Sequence, residues 1–226
     1  MYVTNPNEFY EAAAHNKFAV SSFQGGDAEK KREIATGKCL FREGDDANSV
    51  FEVKTGVLRL TRVLENGRRQ VIAFGLPGDI IGFSSLGYHM SECDAIASAE
   101  VVEHSVDPKK AGGVDPELRD RLYQAALREI SAMQDHFMML GRKSAREKIA
   151  SFLMVLSDRL GEELGAYTHV KLPMTRSDIA DFLGLTTETV SRTFSQLRAE
   201  KVIALEGNKA LIVLNADQLL DYAECD

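Results

Sequence analysis

The chain has 226 residues, enough for one large domain or two modest ones, each with its own core. A hydrophobic share of 44% with 27% charged residues excludes a wholly disordered chain. Lys+Arg 27 against Asp+Glu 34 gives a net charge of −7, which by itself argues against a nucleic-acid binder because phosphate contacts need cations.

The N-terminal stretch MYVTNPNEFYEAAAHNKF lacks the basic and apolar regions of a secretory signal, and no window approaches the roughly 20 apolar residues of a membrane span. Cys39, Cys93 and Cys225 are odd in number and scattered, which fits reduced thiols in a cytoplasm better than a disulfide framework. The expected partners therefore include no membrane.

From about Lys38 to Val106 the sequence reads as short strands and turns. Phe51, Val53, Val57, Leu58 and Leu60 carry the apolar pattern. Turn residues punctuate it at Gly44-Asp45-Asp46, Thr55-Gly56, Glu65-Asn66-Gly67 and Pro77-Gly78-Asp79. Asn66-Gly67 reads as a hairpin turn because both residues tolerate positive φ. This predicts an antiparallel roll or barrel. At Asp115-Pro116-Glu117 the pattern changes, with Asp115 as N-cap and Pro116 at the first helical position. Tyr123, Ala126, Ile130, Met133, Phe137 and Leu140 then recur at alternating spacings of three and four, a coiled-coil-like seam. A helix over about 116–142 would be roughly 40 Å long. Its seam is expected to pack against a second copy rather than its own domain. After Gly141 a second amphipathic helix carries Ile149, Phe152, Leu153, Leu156 and Leu160 and ends at Gly161. The expected division is a β-roll over 1–114, a dimerisation helix over 115–142 and a further domain over 143–226.

Residues 175–199, TRSDIADFLGLTTETVSRTFSQLRA, fit a helix-turn-helix. Ala180 lets the two helices approach, and Gly184 opens the turn with left-handed geometry. Ile179, Leu183, Leu185, Val190, Phe194 and Leu197 anchor one helix on the other. Thr186 is the expected N-cap of the second helix. That helix then presents Thr187, Glu188, Ser191 and Arg192, the surface that enters a major groove. Arg192 can bond guanine and Glu188 can accept from cytosine. Thr175, Ser177, Arg198 and Lys201 are the candidate phosphate contacts. The bland alternative is a helical hairpin in which Glu188 and Arg192 pair on a solvated face. Against it stands the following hairpin, Val202–Leu205 and Ala210–Val213 around Glu206-Gly207-Asn208, which reads as a wing. Residues 143–214 hold ten basic and nine acidic side chains, so they are close to neutral; the tail 215–226 adds four acids and no base.

The segments FREGDDANSVFEVKTGVLRLTRVLENGRRQVIAFGLPGDIIGF, SAREKIASFL and TTETVSRTFSQLRAEKVI resemble the CRP/FNR family of bacterial transcription regulators, most closely its FixK-like branch. The resemblance implies an α+β chain: an N-terminal antiparallel, cyclic-nucleotide-binding-like β-roll, a long dimerisation helix and a C-terminal winged helix-turn-helix. It implies a homodimer on double-stranded DNA without enzymatic activity, mostly activating microaerobic, respiratory or nitrogen-metabolism genes. Glu188, Ser191 and Arg192 match the Glu-x-x-Ser-Arg pattern that reads TTGAT-type half-sites. The hairpin tip with Glu65, Arg68 and Arg69 matches the place where related regulators touch RNA polymerase.

Ligand chemistry in this family differs between members. Cyclic-nucleotide binders carry a Gly-Glu turn and a phosphate-binding Arg. This chain has Gly78-Asp79-Ile80-Ile81-Gly82 and Cys93-Asp94-Ala95-Ile96-Ala97, with no arginine between Arg69 and Arg119. A cyclic nucleotide is not expected. An iron–sulfur cluster needs four thiolates, which three scattered cysteines do not supply; no cofactor and no metal are expected. The alternative is a ligand-gated regulator of the same fold that senses a gas or redox signal through haem or a cysteine. It would use one of His15, His89, His104, His136 and His169, or Cys93, whose neighbour Asp94 raises the thiol pKa.

Overall fold

A computed structural model of the chain describes residues 30–106 and 116–224. The expected cap Asp115, together with His15 and Cys225, lies outside the described residues. The described chain divides into two compact units, residues 30–131 and 132–224. Among the described residues no helix is long and apolar enough to cross a membrane.

The first unit is built on one antiparallel sheet. Strands β1 (Lys30–Ile34), β2 (Cys39–Phe41), β3 (Ser49–Val63), β4 (Arg69–Gly75), β5 (Ile80–Ile81) and β6 (Glu92–Ser105) pair in the order β1-β6-β3-β4. Strand β2 adds to β6 and β5 to β3. Alternation turns Phe51, Val53, Leu58, Cys93, Ala95 and Val101 into a common core with Leu40 and Phe41. The long register of β3 on β6, from Ser49↔Ser105 to Thr61↔Glu92, holds the roll together.

One expected turn is corrected, and the Asn66-Gly67 hairpin turn keeps its place with only one residue at positive φ. Thr55-Gly56 is no turn: both lie inside the 15-residue β3, where the register shifts from Val53 to Leu58 mark a bulged stretch. A turn-type dipeptide also serves a bulge, because both need positive φ, and Gly56 has φ 80°. At the β3–β4 tip only Gly67 takes positive φ. Its N–H donates to Leu64 O at 2.8 Å and Leu64 N–H donates to Arg68 O at 2.8 Å, which gives a longer loop than the Asn-Gly two-residue hairpin. At the Pro77-Gly78-Asp79 turn Asp79 accepts from Leu76 N–H at 2.9 Å, so its carboxylate closes the corner.

Helix α1 (Pro116–Arg142) has the expected bounds. It buries Leu122, Ala125, His136 and Met139. The second unit continues with α2 (Ala145–Leu160), capped by Ser144, whose backbone N–H donates to Glu147 Oε2 at 2.7 Å. Ile149, Phe152, Leu153 and Leu156 of α2 are wholly buried and form the centre of this unit. Strands β7 (Gly161–Leu164) and β8 (Tyr167–Lys171), helices α3 (Arg176–Leu183) and α4 (Thr187–Ala199), strands β9 (Ile203–Glu206) and β10 (Ala210–Val213), and helix α5 (Ala216–Ala223) follow. The wing is thus part of a four-stranded sheet, β7-β8-β10-β9. The β7–β8 hairpin and α5 were not apparent in the sequence pattern.

Gly56 tests the bulge. A Cβ there would lie 2.1 Å from Ser98 O and 2.5 Å from Ala99 Cα, at a φ that side chains other than glycine rarely adopt. Gly56→Ala should therefore destabilise the roll by at least about 3 kcal/mol, read as a lower midpoint in urea unfolding.

Candidate nucleic-acid interface

Thr175 begins the helix-turn-helix as the N-cap of α3. Its hydroxyl donates to Asp178 Oδ2 at 2.7 Å and accepts from Asp178 N–H at 3.1 Å. Thr175 N–H donates to the same carboxylate at 3.0 Å, which completes a capping box. Asp178 is 1% exposed. The Thr175 hydroxyl, expected from sequence as a phosphate donor, gives its proton to Asp178 although the residue is exposed, and Ser177 stands exposed two residues later. Gly184 caps α3 in the left-handed conformation at φ 63° and ψ 38°. Leu185 N–H donates back to Ala180 O at 3.0 Å, turning the chain into α4.

Thr186 caps α4 as expected, accepting from Thr189 N–H at 3.1 Å. Val190, Phe194 and Leu197 of α4 are buried, and Thr193 beside them donates its hydroxyl to Thr189 O at 3.0 Å. The four expected base readers, Thr187, Glu188, Ser191 and Arg192, are all exposed. Residues 188, 191, 192 and 195 share one helical face. Ser191 donates its hydroxyl proton to Thr187 O at 2.9 Å, so in this rotamer its outward oxygen offers lone pairs rather than a donor.

Arg198 and Lys201 stand exposed at the far end of α4. Lys201 has φ 59°, and it is the non-glycine residue at positive φ among those described. A lysine there tolerates strain of about 1 kcal/mol that a glycine would avoid. One residue was missed in the sequence. Arg176, at the first position of α3, lays its guanidinium 3.6 Å from the ring centroid of buried Phe194 and so ties α3 to α4. Burial lowers its pKa, and its Nη1 is buried without a hydrogen-bond partner. An arginine next to an N-cap was the signal available for it.

The other expected sites separate by exposure. Of the α1 seam, Tyr123 (61%), Ile130 (52%), Met133 (48%) and Phe137 (75%) are exposed, Ala126 and Leu140 half-buried. At the β3–β4 tip Glu65 and Arg68 are exposed and Arg69 is half-buried at the start of β4.

Among the described residues the sensor candidates hold other contacts. Cys93 is wholly buried, and burial above all, then Asp94 and Cys39, pushes its thiol well up. Asp94 receives two hydrogen bonds from the Arg59 guanidinium, at 3.1 and 2.8 Å. His89 stacks on Phe41 at 3.8 Å between centroids. His104 lies 3.3 Å from Glu52 Oε2, and His169 lies 3.0 Å from Glu206 Oε2. Among the described residues no three His, Cys, Asp or Glu gather as a metal set. An anionic nucleotide does not fit segment 78–95 either: its ionisable side chains there include Asp79, Glu92 and Asp94, and the nearby Arg59 is already paired with Asp94.

Comparison with known proteins follows the same division. A profile of the cyclic nucleotide-binding domain matches residues 31–109, and a profile of the Crp-like helix-turn-helix domain matches residues 147–222. The chain is 42% identical over 177 residues to the nitrogen fixation regulation protein FixK of Bradyrhizobium diazoefficiens, covering 78% of this chain and 75% of that one. It is 43% identical over 169 residues to the transcriptional activatory protein AadR of Rhodopseudomonas palustris, covering 74% and 71%. The structure of FixK2 from Bradyrhizobium japonicum superposes with a TM-score of 0.78 at 32% identity, over 88% of this chain and all of that one.

His136 gives this unit a pH dependence. Its ring stacks on Phe182 at 4.4 Å between centroids, and burial pushes its pKa down to about 4. Buried Lys148 acts in the same direction. The folded unit thus favours neutral imidazole, so the unfolded chain binds the extra proton between its ordinary value of about 6.5 and about 4. Stability contributed by this group is present above about pH 6.5 and falls on acidification. From pH 7 to pH 5 the loss should be about 2 kcal/mol in urea unfolding, and His136→Phe should remove that part of the slope.

Proposed function

The chain belongs to the CRP/FNR family of transcription regulators, and on that premise we propose that it is a homodimeric activator reading a TTGAT-type palindrome in double-stranded DNA. The observation that carries the reading is the face of α4. Glu188, Ser191 and Arg192 project from one side while Val190, Phe194 and Leu197 are buried on the other. Arg192 bonds guanine in the major groove and Glu188 accepts from cytosine. Ser177, Arg198 and Lys201 hold phosphates on either side, and Thr175 joins them where its hydroxyl can exchange Asp178 for a phosphate.

The exposed row of Tyr123, Ile130, Met133 and Phe137 on α1 supports dimerisation, with Ala126 and Leu140 completing the seam. Functionally the chain divides into the roll over 1–114, the dimerisation helix over 115–142 and the winged reader over 143–226. Two-fold pairing sets two copies of α4 about one DNA turn, or roughly 34 Å, apart. FixK as a nitrogen fixation regulation protein and AadR as a transcriptional activatory protein support an activator; its targets on this reading are microaerobic, respiratory or nitrogen-metabolism genes. The protein acts in the cytoplasm without enzymatic activity and without a cyclic nucleotide or iron–sulfur cluster. RNA polymerase is its second partner, met by Glu65, Arg68 and Arg69 at the β3–β4 tip.

Selection from random duplexes should return a TTGAT…ATCAA-like two-fold site. Arg192→Ala should then lose about 1–3 kcal/mol at one base pair per half-site and relax the preference there. Lys201→Ala should weaken all duplexes about equally and lower the salt slope by about one. Unchanged operator affinity in Arg192→Ala would remove α4 as the reader. At a promoter assay, replacing Arg68 and Arg69 together should lower transcription while gel-shift affinity stays at the wild-type value; equal loss of both would reject the polymerase contact.

A further inference from the structure

The recognition helix is held at its far end by a chain of contacts that starts in the C-terminal helix. Helix α5 lies along α2, with Leu219 and Ala223 wholly buried. Ser151 donates to Ala223 O at 3.2 Å, and Lys143 Nζ donates to the same carbonyl, so the last turn of α5 is pinned from two sides. This places the Tyr222 ring against α2, with its hydroxyl accepting from Gln218 Nε2 at 2.7 Å. The Arg146 guanidinium, in the first turn of α2, stacks 3.7 Å from that ring centroid. From there it pairs with the carboxylate of Glu200, the C-cap of α4. Arg146 Nε is buried without a hydrogen-bond partner, so the stack and the ion pair fix this side chain.

Glu200 stands at a sensitive position. Its N–H donates to Gln196 O at 3.0 Å, Lys201 N–H donates to Arg198 O at 3.1 Å, and Val202 N–H donates to Leu197 O at 3.0 Å. These three bonds turn α4 into the wing through the left-handed residue Lys201. Glu200 also lies between Arg198 and Lys201 in the chain, where an unpaired carboxylate would repel a nearby phosphate.

We propose that Arg146 is a positioning residue for DNA reading: held by Tyr222 of α5, it grips Glu200, fixes the α4–wing junction and keeps that carboxylate from opposing phosphate. The proposal rests on the DNA-binding reading above for its consequence, while its geometry is testable without DNA. Helix α5 is then a working part of the reader rather than a closing tail.

The experiment compares Arg146→Ala, Tyr222→Ala and Tyr222→Phe in the full chain under conditions where circular dichroism shows all three folded. Arg146→Lys, which keeps the charge and loses the planar stack, takes the place of Arg146→Ala if that variant does not fold. Hydrogen exchange is read first, without DNA. The amides of Glu200, Lys201 and Val202 should exchange at least tenfold faster in the Arg146 variant and in Tyr222→Ala. Tyr222→Phe should match wild type, and the amides of Leu211 and Val213 should stay protected. Unchanged exchange at 200–202, or faster exchange across the whole unit, overturns the proposal. Selectivity is read second, as affinity for the selected duplex over a scrambled one. It should fall about tenfold in the same two variants and recover in part when Glu200→Gln is added to the Arg146 variant. Equal weakening on both duplexes overturns the role in reading. A wild-type protein that selects no duplex defeats the DNA-binding reading, with the exchange result still deciding the junction.

Discussion

Burial of one face of α4 is the constraint on which the rest of the reader depends. Val190, Phe194 and Leu197 are 0–1% exposed, and burying side chains of this size contributes roughly 1.5–3 kcal/mol each. Rotating α4 to present a different face would expose that surface. Glu188, Ser191, Arg192 and Ser195 are therefore outward because the opposite stripe has to be inward. Left-handed Gly184 sets the angle between α3 and α4, and Arg176 over Phe194 adds a polar clasp across the same seam.

Charge acts within this frame rather than by its total. The net −7 of the chain is uninformative about DNA, because residues 143–214 are nearly balanced and the acids lie largely elsewhere. A near-neutral unit has a weak non-specific field, so placed contacts must carry recognition, and binding should depend on low to moderate salt. The structure refines the count further. Glu200 is paired with Arg146 and Asp178 is taken up in a cap, while Arg192, Arg198 and Lys201 stand exposed.

The roll shows how the same composition serves different geometry. Thr55-Gly56 carries the signature of a turn and forms a bulge inside β3, because left-handed φ is needed in both settings. The β7–β8 hairpin was illegible for another reason. Its residues are mostly exposed, so they show no inward-outward alternation, and pairing of Val170 with Leu211 on β10 holds it in the sheet. Helix α5 is only eight residues long, and its docking depends on Lys143 and Ser151, far from it in sequence. A hydroxyl before a helix serves a cap or an anion equally well, so only the structure shows that Thr175 caps α3.

The sequence by itself determined the architecture of a strand-rich roll, the bounds of α1 and the helix-turn-helix with its outward residues. These depend on local rules: helical and strand periodicity, caps, and left-handed glycine at Gly184. Only the tertiary structure decided which polar groups are already engaged and which remain for a partner. Arg59 with Asp94, Arg176 over Phe194, and Arg146 between Tyr222 and Glu200 each join residues distant in the chain. Composition counted such groups as charges, while their partners are set by how helices and strands pack, which no local spacing encodes.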